Sequence, residues 1–374
     1  MQTILYFIEV SCPGGAQNVL LNILDGLNRS KYRPIVALLE KGWLEETLRS
    51  KGYEVIIVNS TNKSFDWRLI KDLLSICKKN KVKLIHAHLF DSGIYASIVG
   101  LLARTPVAIT LHGQVDWKKS SYPVIDKIKL IIINSIANHI IYVSENLKKY
   151  YEELGVKKRK GIRIYNGINL DQFVPLPKED IRLSMGFSYS DILMGSVGHV
   201  RPWRGYEFLI DAAEMVVKLY PKARFIIVGN TVDENYYQRL VSKVNKKKLQ
   251  NNILFLGFRT NIREILSALD LFVLPSISEG FSLVTVEAMA AGKPVVGTNS
   301  GGPAEIVVDG VTGYLVPPAD SGALAEKILV LLKDYCLAES MGKAGHLRAE
   351  ERFSLERMID NYHALYEKSL VRNE

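Results

Sequence analysis

Strand-like apolar runs alternate with helix-like segments along almost the whole chain, and this rhythm constrains the fold more than any single motif. In the first half the runs fall at 3–9, 34–39, 54–58, 83–87, 106–111, 140–143 and 162–165. Helical periodicity fills 16–28, 43–51, 67–80, 92–103, 122–137 and 145–154. Strands separated by helices of that length do not pair as hairpins; they form βαβ units and a parallel sheet covered on both faces. The rhythm breaks at 169–189, where Pro175, Pro177 and mixed charge read as an interdomain linker. It resumes with strands at 192–197, 224–228, 252–256, 271–274, 294–297 and 314–316. The second set of helices is expected at 205–219, 234–248, 261–268, 282–291, 303–307 and 320–333, and a last one over 355–370. At 374 residues the chain exceeds one ordinary core. The expected class is α/β, with two Rossmann-like doubly wound domains, 1–170 and 171–354, and the C-terminal helix 355–374 packing back on the first. Such domains place ligands at the carboxyl ends of their strands, here facing a shared cleft.

The net charge of +9 is unevenly spread. Residues 1–175 hold 25 of the 48 Lys+Arg and 15 of the 39 Asp+Glu, a balance of +10, which leaves −1 for the rest. The first half therefore suits an anionic substrate or an anionic membrane. No basic strand interleaved with aromatics and no recognition-helix pattern appears, so nucleic acid is not an expected partner. Cys12, Cys77 and Cys336 are odd in number and far apart, which fits a reducing cytoplasm rather than a disulfide framework. Residues 4–8 open directly into an apolar run without a basic leader, so no signal peptide is expected. The most apolar window, 130–143, is interrupted by Asn134, Ser135, Asn138 and His139 and is too short and polar to span a bilayer.

The residues that stand out fall at strand ends. Gly14-Gly15 follow the first strand and open the first helix, where a backbone can approach a diphosphate closely; a plain tight turn fits the same residues. His112 ends another first-domain strand and suits a substrate hydroxyl, or a structural cap. His86 and His88 project from one side of a strand, but no third ligand lies nearby in the sequence, and no metal site is assigned. In the second half, His199-Val200-Arg201-Pro202-Trp203-Arg204-Gly205 joins a strand to a helix and offers cations to a phosphate, Arg204 being best placed. Two carboxylates, Glu279 and Glu287, bracket the start of a helix stopped by Gly292 and Pro294. Free amides at that start suit a phosphate, while the carboxylates suit hydroxyls. Read alone, the pair is better taken as an ordinary helix N-terminal acid, Glu279, and a solvated helix residue, Glu287. Gly301-Gly302-Pro303 then lead a loop into another helix.

Together these motifs resemble the retaining glycosyltransferases of family 4 (glycosyl transferases group 1), over nearly the whole chain and most specifically from 252 to 318. The paired glutamates, with seven residues between them, carry the likeness. So do Pro275-Ser276-Ile277-Ser278, Glu287-Ala288-Met289-Ala290-Ala291-Gly292, Gly301-Gly302-Pro303-Ala304-Glu305, Asn166-Gly167-Ile168 and 309–316. The resemblance implies the GT-B architecture and transfer of a hexose or N-acetylhexosamine from a nucleoside-diphosphate sugar, a UDP-sugar being favoured, with retention of configuration. It implies donor binding by Gly14, Gly15, His199, Arg201, Arg204, Phe258, Arg259, Gly280, Phe281, Ser282, Leu283 and Val284. Glu287 would hold the ribose and Glu279 the transferred sugar; Phe258 and Arg259 would sit beside the base. Glu279, His112 and Arg204 are the implied catalytic group. No cofactor or metal is expected, the nucleotide sugar being a substrate. His199 stands where many relatives carry arginine, so one phosphate cation differs from the usual pattern.

Trp117-Lys118-Lys119, Tyr122, Lys127 and Lys129 surround Val124, Ile125, Ile128 and 131–133, a mixture that suits an anionic membrane, or a helix buried on one side. The expected product class is a surface polysaccharide, lipopolysaccharide or glycolipid, made on a glycan or lipid-linked acceptor at the cytoplasmic face of the cell membrane. The rival readings are a GT-B-like sugar-nucleotide epimerase and a non-catalytic sugar-nucleotide-binding subunit.

Overall fold

The computed structural model describes residues 1–58, 65–117, 122–173 and 176–371, with nothing said of the Val115 side chain. The chain forms two compact units, Met1–Gly167 with Leu355–Glu374, and Ile168–Ser354.

In the first unit the described strands are β1 (Gln2–Ile8), β2 (Tyr32–Leu38), β3 (Glu54–Ile57), β4 (Leu84–His88), β5 (Val107–Leu111), β6 (His139–Tyr142) and β7 (Gly161–Arg163). All pair in parallel in the order β3-β2-β1-β4-β5-β6-β7. Strands β1, β4 and β5 are buried almost throughout, as a sheet covered on both faces requires. The order reverses direction between β1 and β4, which opens a crevice at their carboxyl ends. Helix Leu355–Val371 belongs to this unit: Tyr366 donates to or accepts from His86 Nδ1 at 2.7 Å, and Tyr6 donates to the Tyr366 hydroxyl at 3.2 Å.

The second unit has β8 (Ile192–Val197), β9 (Ala223–Val228), β10 (Ile253–Gly257), β11 (Leu271–Leu274), β12 (Val295–Thr298) and β13 (Gly313–Val316), all parallel, in the order β10-β9-β8-β11-β12-β13. Its reversal lies between β8 and β11. Its core is built from the inward faces of the Tyr206–Leu219, Glu234–Lys246 and Ser321–Lys333 helices against those strands.

Two helices depart from the sequence reading. Within 169–189, read as linker, Lys178–Ser184 is a helix docked on the second unit. Its buried Arg182 donates to the carbonyls of Ala268 (2.7 Å) and Asp191 (3.1 Å) and pairs with Asp270. A guanidinium with all its partners supplied is stable inside, and in the sequence it looks like one more surface charge. Tyr335–Phe353 is the second, and its apolar periodicity is weak. Small residues do the packing instead: a Cβ on Gly342 would lie 2.2 Å from the Gly292 carbonyl oxygen.

Candidate active site

The second unit's site grows from the β8–β11 reversal. After β8 the chain passes Gly198, makes a short 3-10 turn over Pro202–Arg204 and enters the Tyr206–Leu219 helix through Gly205. Gly205 adopts φ +66°, and a Cβ there would fall 2.1 Å from the Pro275 carbonyl oxygen, so only glycine lets this turn lie against the end of β11. That closeness aims the Arg204 guanidinium over the Gly198 backbone: a Cβ on Gly198 would be 3.0 Å from Arg204 Cζ. Arg201 turns elsewhere, its Cζ 5.2 Å from the centre of the Trp203 ring.

After β11 the segment 275–282 runs beside the loop that leaves β12. The Glu279 amide donates to the Ser300 carbonyl at 2.9 Å, and the Gly302 amide donates back to the Glu279 carbonyl at 3.0 Å. A Cβ on Gly302 would lie 2.4 Å from the Gly280 carbonyl oxygen, which explains glycine at a position with ordinary φ. Held by this bridge, the Glu279 carboxylate accepts from Arg204 Nη1 and from the Ser276 hydroxyl at 3.0 Å. Burial pushes the Glu279 carboxyl above its ordinary value; the Arg204 charge and the two hydrogen bonds oppose that rise.

Glu287 stands one turn into the Leu283–Ala290 helix. None of the described hydrogen bonds ends on its carboxylate, and burial alone raises it to about 7. An acid so placed is costly to ionise until donors arrive, which suits a pair of ligand hydroxyls. Ahead of the helix, Ser282 is buried and its hydroxyl accepts from Thr285 at 2.8 Å, leaving the first-turn amides of Leu283 and Val284 without an intrahelical acceptor. Phe281 is buried against Phe353, at 5.7 Å between ring centres, and anchors Gly280 beside Glu279. Phe258 and Arg259 lie at the carboxyl end of β10, on the outer edge of the sheet and away from Glu279; both are exposed.

In the first unit, Gly14 caps the Gly15–Asp25 helix in an extended conformation that any residue adopts. A Cβ on Gly15 meets nothing within 4 Å, so nothing in the fold itself demands glycine there. His112 follows β5. Its backbone amide donates to Asp116 at 2.7 Å, and its Nε2 lies 2.9 Å from Nδ1 of the fully buried His88, with the rings stacked at 15°. His86 uses both nitrogens, on Tyr366 and, at 2.8 Å, on Thr110. Of the two histidines that resemble a metal pair in sequence, His86 thus spends both nitrogens on the fold and His88 spends Nδ1 on His112. Among the described residues no group of three or more His, Cys, Asp or Glu is arranged to hold a metal.

The structure brings Arg204, Glu279 and Ser276 together, with Glu287 one turn beyond, and separately brings His88 to His112. Ser276 escaped the sequence reading as a site residue. Its position three residues before Glu279 is the only signal, and it is legible only once the loop is known to fold back.

Two family models match successive parts of the chain. The model described as glycosyl transferases group 1 matches residues 177–348, and that described as glycosyltransferase family 4 matches residues 13–172. The chain is 30% identical over 336 residues to an uncharacterized glycosyltransferase of Methanocaldococcus jannaschii, spanning 86% of this chain and 88% of that one. It is 28% identical over 369 residues to the UDP-Gal:alpha-D-GlcNAc-diphosphoundecaprenol alpha-1,3-galactosyltransferase of Escherichia coli, spanning 94% and 93%. The crystal structure of Anabaena Alr3699/HepE in complex with UDP-glucose superposes with a TM-score of 0.88 at 25% identity, covering 98% of this chain and 100% of that one.

Proposed function

The chain belongs to the group 1 glycosyl transferases of GT-B architecture, and we propose that it transfers a hexose or N-acetylhexosamine from a UDP-sugar, with retention, to a lipid-linked or polysaccharide acceptor in cell-surface glycan synthesis. The observation that carries this reading is the Arg204–Glu279–Ser276 cluster at the β8–β11 reversal, with Glu287 on the helix that follows. The E. coli and Anabaena relatives, named for a UDP-sugar or bound to one, support the choice of base.

In this reading the ribose hydroxyls donate to Glu287 and the sugar hydroxyls to Glu279. The diphosphate meets Arg204 and the amides of Ser282, Leu283 and Val284. Gly14 and Gly15 give it room, and His199 and Arg201 complete the donor shell. Phe258 and Arg259 serve the base, and His112 serves the transferred sugar. One guanidinium nitrogen on Glu279 leaves the other N–H donors of Arg204 for phosphate oxygen, so one side chain links sugar to leaving group. As the C1–oxygen bond breaks, its electron pair passes to the phosphate, and the cation stabilises that charge more than it stabilises bound substrate. The acceptor oxygen bonds to C1 on the same face, and its proton goes to the departing phosphate. Glu279, already bound by Arg204 and Ser276, is a positioning carboxylate rather than a nucleophile. No cofactor or metal is assigned a step.

A thermal-shift panel of UDP, GDP and ADP sugars tests the donor. UDP-sugars are expected to stabilise the protein by about 2.7 kcal/mol at a concentration one hundred times Kd. Stabilisation by GDP-sugars alone would overturn the UDP assignment, and a product of opposite anomeric configuration by proton NMR would overturn retention.

The acceptor is expected at an anionic membrane, on its cytoplasmic side. Helix Pro123–Ile136 exposes Val124, Ile125, Ile128 and Ile131 while it buries Asp126, Ile133 and Asn134. Leu101 and Leu102, on the last turn of the neighbouring Phe90–Ala103 helix, are exposed as well, and Lys129 ties the two helices together through Asp91 at 3.2 Å. Exposed Tyr122 and Lys127 give the patch the aromatic and basic residues of an interfacial helix. Lys118 and Lys119 lie outside the described residues. No helix among the described residues is long and apolar enough to cross a membrane. The protein is expected to co-sediment with phosphatidylglycerol liposomes at low salt, and Ile128→Glu to weaken this about tenfold. Wild-type protein left in the supernatant would end the membrane proposal.

A further inference from the structure

The pairing of His88 with His112 points beyond the donor site. Strands β4 and β5 run in register, His86 beside Ala108 and His88 beside Thr110, so the two-residue alternation puts His86, His88, Thr110 and His112 on one face of the sheet. His88 is fully buried; Nδ1 meets His112 Nε2 at 2.9 Å, while Nε2 has no partner among the described residues. Between two facing ring nitrogens only one carries the proton. If His112 donated, the proton of His88 would move to Nε2, a buried N–H with nothing to accept it. If His88 donates, its Nε2 is left as a bare acceptor, the cheaper of the two orphans.

We propose that His88 is a positioning residue: its Nδ1–H donates to His112 Nε2 and fixes His112 as the neutral Nδ1–H tautomer. His112 then presents a hydrogen-bond donor, not a general base, to an oxygen of the transferred sugar. This last step rests on the assignment of His112 under the proposed function; the tautomer itself does not.

The surroundings agree. No charged side chain faces either ring in the described contacts. Asp116, four residues after His112, accepts from the backbone amides of His112 and Gly113, and Asp91, three residues after His88, pairs with Lys129 at 3.2 Å. The His86 ring lies tilted against His88 with ring centres 4.5 Å apart and is held by Tyr366 and Thr110, which leaves it no nitrogen for His88. Burial pushes His86 and His112 down to about 3 and His88 well below the ordinary value, so the cluster stays uncharged at neutral pH. The residue after His88 also departs from ease. Leu89 has φ +76°, an uncommon conformation for a branched side chain, and its amide donates to the Thr110 carbonyl at 2.9 Å. Strain of this kind persists where the end of a strand is held for a purpose, and here it fixes the strand end that carries His88.

Long-range proton–nitrogen correlation on the protein labelled with 15N-histidine reads each tautomer directly, with His88→Asn and His112→Asn spectra giving the assignments. At pH 7, His112 is expected to show a protonated Nδ1 and a bare Nε2. An Nε2–H tautomer or an imidazolium would overturn the proposal, whatever the enzyme transfers. The second measurement is UDP release from a UDP-sugar that the thermal-shift panel shows to bind. His88→Leu is expected to lower kcat about tenfold with Kd for UDP unchanged, and His88→Asn, whose amide N–H replaces the Nδ1–H, to recover most of the loss. Equal losses in both variants, with melting temperatures matched, would reduce His88 to packing. Absence of any UDP release in the wild type would instead count against the transfer reading and leave the tautomer result standing.

Discussion

Arg204→Ala is expected to lower kcat for sugar transfer by about 10²–10³-fold, the size of losing one preorganised partner of a developing oxyanion. The glycine turn at 205 seats Arg204, the space over Gly198 receives it, and the Glu279 carboxylate accepts from it. Removing it should also change the behaviour of Glu279. That carboxyl is already raised by burial, and the Arg204 charge is what opposes the rise. Without the cation the folded-state value climbs further. A carboxyl raised in the folded state contributes stability at low pH and loses it as pH rises through the folded value. The melting temperature of the variant should therefore fall more at pH 8 than at pH 6, compared with wild type. Arg204→Lys, which keeps the charge but not the planar fork, should recover only part of the rate. Full activity in Arg204→Ala would remove this arginine from the phosphate site, and steady-state kinetics with parallel thermal melts checks both claims.

Nucleotide binding is expected to strengthen as pH rises through 7, because Glu287 must be ionised to accept two ribose hydroxyls. Burial holds its carboxyl at about 7, and no cation among the described residues compensates. At pH 6 about a tenth of the molecules would carry the charge, so the Kd for UDP should be about tenfold weaker than at pH 8. The free protein should show the opposite trend: the raised carboxyl contributes stability below its unfolded value near 4.5, and this is lost as pH climbs to 7. Glu287→Gln should bind weakly at both pH values and flatten the profile. Isothermal titration of UDP at pH 6, 7 and 8 makes the test, and an unchanged pH profile in the variant would assign the titration to another group.

Legibility in the sequence follows the range of the forces involved. The strands were readable because each is a short apolar run between helices; 192–197 and 271–274 coincide with β8 and β11 residue for residue. The glutamate pair was readable because seven residues across a loop and a helix turn is a local spacing. The Lys178–Ser184 and Tyr335–Phe353 helices were not, since Arg182 takes acceptors on Ala268 and Asp270, 86 and 88 residues away, besides the nearer Asp191 carbonyl, and Gly342 packs on the turn at Gly292. For the Pro123–Ile136 helix, composition showed apolar residues among lysines. Which side faces outward was settled by Asp126 being buried and Ile128 exposed.

By itself the sequence determined two parallel α/β units, their strand-end loops, and the residue types offered to a nucleotide sugar, because periodicity and glycine or proline punctuation act over a few residues. Only the tertiary structure decided that Arg204 and Ser276 share Glu279, that Glu287 stands without a hydrogen-bond partner among the described residues, and that His88 meets His112. Those pairings join residues from separate βα units. They exist because a parallel sheet gathers its strand ends on one edge, where glycines let the loops approach closely enough to touch.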